Sequence, residues 1–132
     1  MLQINTFFMF FGRAEEAMNF YTSLFRNSEI LAISRFGANE EGPEGKVRHA
    51  TFSLNGQQFM CIDSDAAMHG FTFTPAISLY VTCATEQEID RLYEKLSEGG
   101  GVMMPLAAYP FSPKFAWIAD KFGVSWQLSL AA

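Results

Sequence analysis

Residues 3–11 form a nearly unbroken apolar run, and residues 75–83 form a second one. Each has the look of a buried strand and is followed by a segment with helical spacing. In the first of these, Ala14, Ala17, Met18, Tyr21, Leu24 and Phe25 recur on one side, which predicts an amphipathic helix over 14–25. Glu15 and Glu16 fall in its first turn, where they suit the helix dipole. In the second, Ile89, Leu92, Tyr93 and Leu96 make the stripe of a helix over 85–97. Thr85 is its expected cap, with Glu88 completing a capping box. Gly99, Gly100 and Gly101 stop it.

Strand-like segments follow each helix. After the first come residues 29–36, a Gly- and Glu-rich loop over 37–45, and residues 46–54. In this last stretch Val47, His49, Thr51 and Ser53 alternate with Arg48, Ala50, Phe52 and Leu54. Asn55-Gly56 then predicts a tight hairpin into Gln57–Asp63. Residues 63–74 read as a polar connector. After the second helix, residues 102–108, 114–119 and 124–130 supply three more strands, and Asp120 to Gly123 closes the last hairpin. A strand, a helix and three strands are thus used twice. The expected fold is α+β, a tandem of βαβββ modules at about 1–64 and 72–132 within one domain, with curved mixed sheets around a cavity. The two copies align by pattern more than by identity. One offset puts Ala14 on Thr85, and another, differing by a loop-length change, puts Phe59 on Trp126.

Composition narrows the function classes. At 132 residues the chain is one domain, and with 49% hydrophobic and 17% charged residues it is built to pack a core. The net charge is −5 and the nine basic residues are scattered, which argues against nucleic acid as a partner. No apolar stretch is long enough for a membrane helix, and the N-terminus lacks the basic region of a signal peptide, so the expected location is cytoplasmic, with no membrane partner. Cys61 and Cys83 each sit in an apolar strand and read as small core residues.

Three segments carry a family resemblance: Ala14-Glu15-Glu16-Ala17-Met18-Asn19-Phe20-Tyr21, Val47-Arg48-His49-Ala50-Thr51-Phe52, and Asp120-Lys121-Phe122-Gly123-Val124-Ser125-Trp126-Gln127-Leu128. With them the chain resembles the PhnB-like family, also labelled as a 3-demethylubiquinone-9 3-methyltransferase domain, within the glyoxalase, bleomycin-resistance and vicinal oxygen chelate superfamily. The resemblance implies a cavity enclosed by curved sheets, a small-molecule ligand and a homodimer. Enzymes of the superfamily hold a divalent metal with His, Gln and Glu from strands of both modules. Carried over, those places fall near Thr6, Met60, Ala76 or Ile77, and Gln127. Thioether and aliphatic side chains do not bind a hard divalent ion, and an amide binds one weakly, so no metal is expected. No methyl-donor site is expected either. Such sites use a glycine-rich turn from strand to helix, whereas Gly99 to Gly101 lead from helix to strand.

The residues left for chemistry are few. His49, mid-strand among apolar neighbours, is the candidate general base or polar ligand contact; a plain strand histidine is the alternative. Asp63 is its candidate partner, or else a turn residue. A metal site of His49, Asp63 and His69 matches no usual ligand spacing. Phe8, Phe52, Trp117, Trp126 and Gln127 are the candidate ligand-binding residues, with plain core as the alternative for the aromatic ones. Arg13 and Arg35 are candidates for an anionic group, and the segment 109–115, with two prolines and three aromatic residues counted from Tyr109 to Phe115, reads as a stiff apolar loop. The leading expectation is a metal-free protein that binds a small apolar or aromatic molecule, with no cofactor. The alternative is a glyoxalase- or dioxygenase-like enzyme that uses His49 as base or an atypical metal site. A third reading is an interaction module whose groove is filled by its own side chains.

Overall fold

The computed structural model describes residues 2–65 and 70–132. Its elements run β1 (Thr6–Phe10), α1 (Ala14–Leu24), β2 (Glu29–Arg35), β3 (Val47–Leu54), β4 (Gln57–Asp63), β5 (Ser78–Cys83), α2 (Glu86–Ser97), β6 (Gly101–Tyr109), β7 (Ser112–Ala119) and β8 (Ser125–Leu130). The chain divides into two compact units, Met1–Thr72 and Phe73–Ala132. Each is a helix laid on a four-stranded mixed sheet, with strand order β1-β4-β3-β2 in the first and β5-β8-β7-β6 in the second. In both, the last strand of the unit pairs in parallel with its first strand and antiparallel with the strand before it.

The helix stripes read from sequence are the buried ones. α1 buries Ala14, Ala17, Met18, Tyr21 and Leu24. The sheet beneath offers Phe8 and Phe10 of β1, Ala50 and Phe52 of β3, and Phe59 and Cys61 of β4, all nearly or fully buried. The rings of Phe8, Phe52 and Phe59 stack at centroid distances of 5.5 to 6.4 Å. α2 buries Ile89, Leu92 and Leu96, and the second sheet presents Ala116, Ile118, Trp126 and Leu128 as its buried counterparts. Alternation along each strand therefore separates a helix-covered face from a helix-free one.

The two helices begin differently. Thr85 caps α2 locally, its hydroxyl accepting from the Glu88 amide at 3.1 Å, while the Glu88 carboxylate accepts from the Ala84 amide at 3.0 Å. Arg13 gives α1 no side-chain cap. There the Asp63 carboxylate, arriving from β4, accepts from the Ala14 amide at 2.9 Å and from the Val47 amide at 3.0 Å. Both satisfy backbone donors that a helix or strand end leaves unpaired.

The hairpin turns explain two sequence signals. Asn55 and Gly56 both have positive φ, +50° and +83°, as a two-residue turn of this hand demands. At the β7–β8 turn, Asp120 is buried and accepts from the Phe122 and Val124 amides and, at 2.8 Å, from the Trp126 indole. The Asp…Gly…Trp ending is thus a structural device that closes a hairpin and anchors a core tryptophan.

Several expected boundaries move. The first strand starts at Thr6, where pairing with β4 begins, and Ile4 stays 90% exposed. The fifth starts at Ser78, leaving Ala76 and Ile77 ahead of the sheet. The expected loop over 109–115 is instead a tight hairpin, with Tyr109 opposite Ser112 across Pro110 and Phe111. Its aromatic residues pack on one another, the Phe111 and Phe115 rings edge-on at 4.8 Å.

Candidate functional site

The helix-free face of each sheet carries the side chains with chemistry to spare. In the first unit, Phe7 of β1 pairs with Met60 of β4, and Met60 pairs with Thr51 of β3. Met9 and Ile62 form the next row. His49 lies two residues from Thr51 on the same strand, exposed, with its ring 6.3 Å from that of Phe7 and tilted by 47°. Among the described residues no side chain hydrogen-bonds its imidazole. His49 does not share a face with Val47, as simple alternation suggests. The β2–β3 register shifts between Ser34 and Arg35, Arg48 is the extra residue, and Val47 turns into the core.

Asp63 stands on the other side of this sheet. It pairs with Phe10, is 3% exposed, and spends both carboxylate oxygens on backbone amides. The structure therefore separates it from His49 and gives it a structural task. His69 lies outside the described residues. Arg13 and Arg35 are held at the start of α1 by Glu16 and Glu15, at 2.9 and 2.6 Å, in exposed pairs. Cys61 is buried, and burial next to the Asp63 charge pushes its thiol up to about 12. At neutral pH it is a protonated core side chain and no nucleophile.

In the second unit, Tyr80 of β5 pairs with Gln127 of β8, and Gln127 pairs with Trp117 of β7. Trp117 donates its indole N–H to the Ser125 hydroxyl at 2.8 Å. The Ser125 and Ser78 hydroxyls share a 2.6 Å hydrogen bond, and Gln127 Nε2 donates to Ser78 Oγ at 3.3 Å. Tyr80 is 59% exposed beside this network. Sequence reasoning singled out Trp117 and Gln127 but missed Ser78, Ser125 and Tyr80. The signal available was their spacing by two along strands already assigned.

The other candidate ligand residues are core. Phe8, Phe52 and Trp126 are at most 6% exposed on the helix-covered faces. Alternation alone leaves open which face of a strand the helix takes. Trp126 is one place off the Trp117–Gln127 row and so faces the other side, its indole N–H donating to Asp120.

The same registers test the inherited metal positions. Thr6 pairs with Phe59 on the helix-covered side, so it and Met60 lie on opposite faces, and Phe7 is the residue beside Met60. Tyr80, not Ala76 or Ile77, is the residue beside Gln127. Neither pair, Phe7 with Met60 in the first unit or Tyr80 with Gln127 in the second, is a donor set for a hard divalent ion. Among the described residues, no group of three His, Cys, Asp or Glu is placed to hold a metal. A methyl donor fits no better at the glycine cluster. Gly99 has φ +74° at the helix end, and a Cβ on Gly100 would collide with the Ala119 carbonyl, so that space is filled by backbone. No helix among the described residues is long and apolar enough to cross a membrane.

Comparison with known proteins agrees with this architecture. The family model described as 3-demethylubiquinone-9 3-methyltransferase matches residues 2–129. A PhnB protein from Bacillus cereus bearing the same description is 65% identical, with a TM-score of 0.95, over 98% of this chain and 100% of that one. A structure from Pseudomonas aeruginosa is 27% identical, with a TM-score of 0.83, over 98% of each chain. A member of the glyoxalase, bleomycin-resistance and dioxygenase superfamily from Sphaerobacter thermophilus shares the fold, at 18% identity and a TM-score of 0.57 over 99% of each chain. Among curated proteins none matches.

Proposed function

The chain belongs to the 3-demethylubiquinone-9 3-methyltransferase family of PhnB-like proteins, with the glyoxalase and bleomycin-resistance fold, and from that premise we propose that it binds a small apolar or aromatic molecule without a metal. The helix-free sheet faces are the binding surfaces. One observation carries the reading: beside Met60 and Gln127, two of the places where the resemblance puts metal ligands, the neighbouring strands set Phe7 and Tyr80. Such side chains offer contact area and one amide in place of hard donors. His49 supplies a polar contact beside Phe7. Asp63, committed to two backbone amides, is not free to orient that imidazole, which weighs for binding over general-base catalysis. Assembly as a homodimer, which the family resemblance implies, belongs to the same reading.

Native mass spectrometry of the purified protein tests all three parts together. The expected result is a dimer mass with a bound organic molecule and no stoichiometric metal. Titration with Mn²⁺, read by its electron paramagnetic resonance signal, checks the metal directly. Stoichiometric Mn²⁺ binding that disappears in Gln127→Leu overturns the proposal. For His49, NMR titration with toluene and with phenol compares the parent chain with His49→Ala. Weaker phenol binding and unchanged toluene binding are expected, and identical phenol binding removes His49 from the site.

A further inference from the structure

The hydrogen-bond network on the second sheet has a proton and a lone pair left over, and their positions define what a ligand must offer. Ser78 and Ser125 bring two hydroxyl protons, of which one lies between them. The Ser125 oxygen also accepts from Trp117, and the Ser78 oxygen also accepts from Gln127. If Ser78 donates to Ser125, the surplus proton sits on Ser125, which is 2% exposed. Leaving a buried hydroxyl proton unpaired costs about 1–3 kcal/mol. The favoured direction is therefore Ser125 to Ser78, and the surplus proton belongs to the more exposed Ser78. Gln127 has its amide nitrogen engaged with Ser78, while among the described residues nothing donates to its carboxamide oxygen.

The geometry points to a hydrogen-bonding edge reader made by Ser78 and Gln127: Ser78 Oγ–H donates and Gln127 Oε1 accepts, one beside the other. Resting on the reading of these faces as aromatic binding surfaces, this assigns the ligand class. The preferred ligand is a flat aromatic molecule with an adjacent donor and acceptor on one edge, as in an aromatic carboxamide. Tyr80, on the same row as Gln127 and largely exposed, and Trp117 on its other side supply the flanking ring surface. Trp117 has a second task, since its indole N–H fills one Ser125 lone pair and so helps to set the direction of the relay.

Three probes separate the terms: benzamide with donor and acceptor, acetophenone of the same size with an acceptor only, and the smaller toluene with neither. Each is titrated into the ¹⁵N-labelled full chain while the Trp117 indole and Gln127 carboxamide signals are followed. Benzamide is expected to bind about three- to tenfold more tightly than acetophenone, the worth of one neutral hydrogen bond. Gln127→Leu is expected to erase that preference and leave toluene binding in place; Gln127→Met, closer in length, repeats the test should the leucine variant fail to fold. Equal binding of all three probes overturns the edge reader and leaves the apolar surface standing. A benzamide preference that survives in a folded Gln127 variant also overturns it. If none of the probes shifts either signal, the binding reading of this face fails, and the edge reader with it.

Discussion

The two units share a plan and differ in what holds it. Both lay a helix across β-strands in the same order, and both bury apolar residues at matching places, Phe59 in one and Trp126 in the other. Their helix-free faces diverge. The first is a thioether and phenyl surface with one imidazole, built from Phe7, Met9, Met60, Ile62 and His49. The second is a hydroxyl and amide network between two aromatic rings. A duplicated framework is thus kept by its helix-covered side, where packing tolerates little change, while the other side has been free to specialise.

The two tryptophans give the sharpest test of that division. Trp126 is 1% exposed and hydrogen-bonded to buried Asp120, so Trp126→Ala is expected to cost about 3–5 kcal/mol of unfolding free energy. Trp117 stands on the helix-free face and is partly exposed. Trp117→Ala is expected to cost about 1–2 kcal/mol, mostly through Ser125. Urea unfolding of both variants reads the difference. Equal losses would mean that the helix-free face is as much a part of the core as the covered one.

The helix starts provide a second, smaller contrast. Asp63→Ala orphans two backbone amides in a buried place, those of Ala14 and Val47, and is expected to cost about 2–4 kcal/mol. Thr85→Ala removes one exposed cap from α2 and is expected to cost about 1 kcal/mol. Thermal melts of the two variants check the order. A larger loss for Thr85→Ala would reverse the idea that the first unit ties its helix through the sheet and the second through local sequence.

Much of this was legible in the chain, for reasons that differ by element. The helix stripes and the Asn55-Gly56 hairpin are local patterns, and local patterns carry their own geometry. The repeat gave the strand–helix–three-strand plan, to which the family resemblance added the fold. What stayed out of sight depends on contacts distant in sequence. Asp63 resembles a turn residue until β4 is seen to end against the start of α1. That Val47 leaves the face of His49 depends on one extra residue, Arg48, in a register shift that strict alternation cannot show. Phe8, Phe52 and Trp126 were legible as large aromatic residues, but which side each takes is set by the helix packed above. For Ser78 and Ser125 the sequence shows only two small polar residues 47 positions apart, and the parallel pairing of β5 with β8 makes them neighbours.

The smallest expected effect distinguishes the units by their cysteines. Burial raises the Cys61 thiol to about 12 and the Cys83 thiol to about 11. In the unfolded chain both lose their protons from about pH 9. A thiol whose pKa is raised by folding stabilises the native state fully below the unfolded value, and that contribution is lost as pH rises toward the folded value. Stability is therefore expected to decline from about pH 9 upward, with the Cys61 share extending to about pH 12 and the Cys83 share ending about one unit lower. The informative quantity is the difference between the parent chain and Cys61→Ala or Cys83→Ala in urea melts across pH 8 to 11. Each substitution flattens part of the alkaline limb, and Cys61→Ala, at the more strongly shifted thiol, flattens more. At pH 8 the folded protein is expected to resist thiol alkylation at both positions; rapid labelling of Cys61 without unfolding would place it in an open site and undo its assignment to the core.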